Sequence, residues 1–186
     1  MTCEEIFTNL SEHIIKGLMI HEQLANYYHF LNLSGYATCH EYHFMKESKS
    51  YRELCKYYIT HYDKLIPETQ FDNPEVIPES WYQHTRQDVD ANTKRNAVKQ
   101  GLVKWVDWEM KTKKLYSDMY KEVLENGNVD SACFIKDMVK DVSKELKHAT
   151  SYLLDKEAID YDMPTIIQEQ KCKKEKYKEK IKAMGE

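Results

Sequence analysis

The chain has 186 residues, enough for one domain with a substantial core, and its 5 Gly and 4 Pro leave long helices uninterrupted. A net charge of -4 argues against a generally nucleic-acid-binding surface, and no stretch approaches the ~20 apolar residues of a membrane span. Five cysteines (Cys3, Cys39, Cys55, Cys133, Cys172) form no CxxC pair, so neither a disulfide framework nor zinc-finger spacing is present. The opening MTCEEIFTNL lacks the basic start and apolar run of a signal peptide, and a reduced, cytoplasmic setting is expected.

Breakers divide the chain. Prolines stand at 67, 74, 78 and 164, leaving 1–66 and 79–163 free of them. Each free stretch is cut once by glycine, at Leu33-Ser34-Gly35 and at Asn126-Gly127-Asn128, where glycine supplies a left-handed helix end. Helices are therefore predicted over about 3–33, 36–66, 88–125 and 129–158. The first carries an apolar-spaced stripe Ile15, Leu18, Glu22, Ala25, His29. The second carries Tyr51, Leu54, Tyr58, His61, Leu65. About 67–89 is too long for a hairpin turn and suits a crossover along a bundle. The third helix runs Val98, Leu102, Trp105, Glu109, Thr112, Tyr116, Met119, Val123; the fourth runs Ile135, Met138, Val142, Glu145, Ala149, Tyr152. After Pro164, Ile167, Tyr177, Ile181 and Met184 suggest a weaker fifth helix. Residues 171–186 hold seven Lys against three Glu, and 161–186 reads as a Lys-rich helix or tail appended to a bundle over 1–160. Its main reading is a solvated helix face, with DNA binding the lesser one.

The informative anomaly is acid on apolar stripes. An ionised carboxylate buried without a partner is costly, so Glu22, Glu109 and Glu145 each require a counter-charge, a hydrogen-bond network or a metal. His148 follows Glu145 by three residues and shares its face. Glu22 precedes His61 by 39 positions, and Glu109 precedes His148 by the same 39. The repeat has one fault: Tyr58 stands where the first hairpin should match Glu145.

These residues resemble the ferritin-like di-iron carboxylate superfamily, with a ligand pattern closest to bacterioferritin. The resemblance implies an all-α fold: a four-helix bundle of two antiparallel hairpins joined by a long crossover, plus the C-terminal helix. It implies Glu22 and Glu109 as terminal ligands, Glu145 as a bridging carboxylate, and His61 and His148 as one ligand to each metal. Tyr58 occupies the second bridge, as a phenolate ligand, a hydrogen-bonding cap or the mark of a lost site. The expected metal is iron, or manganese, at one or two ions per chain. A fainter likeness to the Dps mini-ferritins around HFLNLSGYATCHEYHF and THYDKLIPE adds His29, His40, His43 and Asp63 as secondary candidates.

Two functions stay open at this level. One is a metal-handling protein that oxidises iron, a ferroxidase-type activity. The other is an inactive bundle serving as a structural or interaction module. A homo-dimer or larger oligomer is expected, because Tyr27, Phe30, Trp81 and Trp108 exceed what the inner stripes need.

Overall fold

A computed structural model describes residues 1–67 and 85–185 of the chain. Within them the regular structure is all helical. Helix α1 (Cys3–Phe30) starts at a capping box in which Glu5 N–H donates to Thr2 Oγ1 and Thr2 N–H donates to Glu5 Oε2. Helix α2 (Ser34–Tyr62) ends on Asp63 in the left-handed region. After the short 3-10 turn Arg86–Asp88 comes α3 (Ala91–Glu125), capped by Asp90, which accepts from Thr93 N–H at 2.7 Å. Helix α4 (Val129–Ala158) is capped by Asn128, and α5 (Met163–Gly185) closes the chain. The crossover expected over 67–89 falls largely outside the described residues.

The two hairpin breaks lie near their predicted places but work differently. Gly127 takes φ +75° in the α3–α4 turn, as a glycine turn requires. In the α1–α2 turn the left-handed residue is Asn32, and Gly35 lies inside the first turn of α2. Gly35 is needed there for closeness: a Cβ would stand 2.7 Å from the Gln170 carbonyl oxygen of α5.

Helix α1 packs on α2 and on α3, α3 packs on α4, and α5 lies along α2 and touches α3. Two apolar clusters result. One gathers Tyr28, Tyr36, Leu102, Trp105, Ile166 and Tyr177; the other gathers Phe7, Leu10, Leu54, Tyr58, Met119 and Ile135. On α3 the buried part of the first cluster ends at Val106 and that of the second begins at Tyr116, with buried Glu109 and Thr112 between them. The polar site sits at that seam. None of the described helices is long and apolar enough to cross a membrane.

Helix α5 is more than a solvated tail. Met163, Ile166, Gln170, Lys173 and Tyr177 are buried, whereas Ile167, counted on the inner stripe from sequence, is 53% exposed. At its start the inward position is Ile166 rather than Ile167, whereas Tyr177 faces inward as that reading has it. The aromatics expected to feed an interface are also largely internal: Tyr27 is buried, and Trp108 stacks on His13 at 4.2 Å. Trp81 lies outside the described residues.

Candidate metal centre

Two of the six sequence-predicted residues, Glu145 and His148, converge; Glu109 lines the adjoining cavity, and the other three lie elsewhere. Glu22 is exposed and accepts a hydrogen bond from Asn26 Nδ2 at 3.2 Å. His61 is also exposed, stacked on Tyr57 at 3.9 Å, with Nδ1 donating to the Tyr57 carbonyl. Tyr58 is buried in the second apolar cluster against the Phe7 and Tyr62 rings, at 5.3 and 4.8 Å. The repeated 39-residue spacing therefore does not build a symmetric site. The inward face of α1 runs through Gly17, His21 and Leu24, one position away from Glu22. On α2 burial ends at Tyr58, a turn before the helix terminus.

Glu145 and His148 do come together, Glu109 faces the cavity beside them, and α2 adds His43, a secondary candidate from the sequence. One ligand atom each from His43, Glu145 and His148 lies within 4.8 Å of the other two. His43 is fully enclosed; Glu145 and His148 are half-buried. Glu145 Oε2 stands 3.4 Å from His43 Nδ1, while its Oε1 accepts from the Lys46 ammonium. Next to the three donors lies a cavity of about 270 Å³, walled by Glu47, Glu109, Thr112 and Tyr116 among others.

The electrostatics follow from burial. The Glu109 carboxyl is pushed up to about 8, first by desolvation and then by Glu47, although Trp105 Nε1–H donates to it at 3.0 Å. Desolvation likewise lifts Glu47 to about 7. His43 and His148 are held below the ordinary imidazole range by burial, so both are neutral with a lone pair free near neutral pH. Above them His21 Nδ1 and His40 Nδ1 are 3.0 Å apart, and both rings are also driven to the neutral form.

These residues fit a divalent transition metal. Two neutral imidazoles and a carboxylate form a borderline N/O donor set suited to iron, manganese or zinc. His43 Nε2 is buried without a hydrogen-bond partner, while the ring nitrogen shown beside Glu145 is Nδ1. The feature against it is Lys46, whose ammonium already offsets the Glu145 charge. Of the secondary candidates, His29 pairs with Glu41 at the surface at 2.6 Å, Asp63 ends α2, and His40 is buried beside His21. One sequence signal could have promoted His43 and Glu47. They stand four apart on α2, the same-face arrangement that Glu145 and His148 make on α4. No protein-family model matches this chain, and no curated protein or solved structure matches it.

Proposed function

We propose that this chain is a metal-binding protein of ferritin-like build, holding iron or manganese between α2 and α4 through His43, Glu145 and His148. Glu109 and Glu47 stand in reserve on the adjoining cavity wall. The single observation that carries this reading is the convergence of three donors from two helices within 4.8 Å, inside the protein. The helix pairing supports the bundle: two hairpins side by side, α1 on α3, with His43 and Lys46 of α2 meeting Glu145 of α4. A bound iron would supply one-electron chemistry toward an oxidant. The chain's own residues bind it, keep two imidazoles neutral and offer carboxyl groups to balance its charge.

Anaerobic titration with Fe(II) and Mn(II) should give saturable uptake of about one ion per chain, abolished in Glu145→Ala. Absence of uptake by the wild-type protein would sink the proposal. A second reading has a specific observation behind it, the Lys46–Glu145 ion pair. There the seam is a closed polar network in an inactive structural bundle. Lys46→Met separates the two. In a metal site it frees a carboxylate oxygen and tightens uptake. In a closed network it strands a partly buried charge and lowers the melting temperature without conferring uptake.

Pairing of two copies through a helix face belongs to the same reading. Val103 and Met110, seven apart on α3, are 40% and 48% exposed and offer a surface for it. Light scattering at tens of micromolar should report a dimer or larger assembly; a clean monomer contradicts it.

A further inference from the structure

Tyr177 of α5 is fully buried, and its hydroxyl touches the candidate centre from outside the donor set. It lies 3.2 Å from His148 Nε2 and donates to the Tyr152 hydroxyl oxygen across 3.1 Å. A phenol has one proton to give. With that proton directed at Tyr152, the Tyr177 oxygen can only accept from His148, so the imidazole proton sits on Nε2. A neutral imidazole carries a single N–H, which leaves Nδ1 as the only lone pair of His148. The buried Cys39 thiol also lies against the Tyr177 hydroxyl, and thiol sulfur is a weaker acceptor than the Tyr152 oxygen. Burial keeps Tyr177 a neutral phenol.

We infer that Tyr177 is a positioning residue of the metal centre: by accepting from Nε2–H it fixes the tautomer of His148 and reserves Nδ1 for the metal. The fifth helix then completes the site, although it supplies no ligand. A hydrogen bond to the distal nitrogen of a metal-binding histidine sets ring orientation and raises donor strength. The metal part of this inference rests on the reading of His43, Glu145 and His148 as ligands. The tautomer part does not.

The test uses the full chain, labelled with nitrogen-15. Without metal, long-range proton–nitrogen spectra at neutral pH should show His148 as the Nε2–H form. In Tyr152→Phe the Tyr177 proton loses its acceptor and turns to His148 Nε2, moving the imidazole proton toward Nδ1. A merely space-filling Tyr177 would not produce that reversal. In Tyr177→Phe the tautomers should mix, and Co(II) affinity should fall by about 10–100-fold. An Nδ1–H His148 in the wild type, or a tautomer that does not respond in Tyr152→Phe, overturns the inference even where Tyr177→Phe fails to fold. Co(II) uptake that is equal in wild type and Tyr177→Phe overturns it while leaving the metal site standing. No uptake by the wild type overturns the metal site itself.

Discussion

Burial raises the Glu109 carboxyl to about 8, with Glu47 adding to the shift, so the folded protein holds a proton there that the unfolded chain releases near 4.5. The stability that this proton contributes is fully present below about 4.5 and is lost as pH rises through about 8. Glu109→Gln keeps an oxygen for Trp105 Nε1–H to donate to and removes the ionisation. Thermal melts should therefore coincide with wild type near pH 5. At pH 8.5 the variant should be the more stable, by on the order of 1–4 kcal/mol. Buried histidines have the opposite sign. His13 is lowered to about 4 and His21 to about 3, both first by desolvation, and His40 and His43 are lowered well below 6.5. Their contribution is present above 6.5 and lost as pH falls toward the folded-state values. Four histidines outweigh the Glu47 and Glu109 carboxyls between 4.5 and 6.5, so melting temperature should fall from pH 7 to pH 5. Of these groups only Glu109 was legible as buried. Its stripe on α3 is unambiguous, whereas an imidazole has no preferred side of a helix.

At the scale of the element, α3 was legible throughout because it has one apolar face. Each of its eight predicted inward residues, Val98 to Val123, is buried. Helix α1 has two competing faces: Ile14 and Ile15 are adjacent, Leu18 and Met19 likewise, so the apolar count fits two phases one position apart. The phase adopted carries Gly17 and His21 inward and turns Glu22 out. What selects it is packing between helices, which periodicity along one helix does not contain. Gly101 shows one such contact. A Cβ there would stand 2.0 Å from the Tyr28 hydroxyl oxygen, and that hydroxyl donates to the Ala97 carbonyl at 3.3 Å. Alanine gains about 1 kcal/mol of helix propensity over glycine. Overpacking against a fully buried tyrosine costs about 1–3 kcal/mol. Gly101→Ala should be net destabilising in urea unfolding, and Tyr28→Phe in the same chain should recover part of the loss. Full additivity of the two changes would contradict the contact.

Across the whole molecule, the α3–α4 hairpin was placed by its glycine turn, while the C-terminal segment was read from its charge. Seven lysines in sixteen residues suggest a solvated face, and a charge count does not register where lysine stems go. In the fold, Lys173 is buried, its ammonium 3.9 Å from the centre of the Tyr36 ring and 4.4 Å from that of Tyr152. Such contacts let a cation line an interior wall. Desolvation still lowers Lys173 to about 8, so the wall is tight. Around it, Ile166 and Tyr177 are fully buried on α5, and Gly35 and Tyr36 of α2 meet the Gln170 side chain through their backbone N–H groups at 2.8 and 3.3 Å. Removing α5 would uncover Tyr36 and Cys39, both buried residues of the first cluster. Each fully buried side chain such as Ile166 contributes roughly 1.5–3 kcal/mol. A chain truncated after Asp162 should therefore lose more than about 5 kcal/mol, comparable with the whole stability of a typical domain. It should melt without a cooperative transition or aggregate on expression. A truncated protein that kept the wild-type melting temperature would return α5 to the status of an appended tail. It would also remove the physical basis for a metal centre completed from the fifth helix.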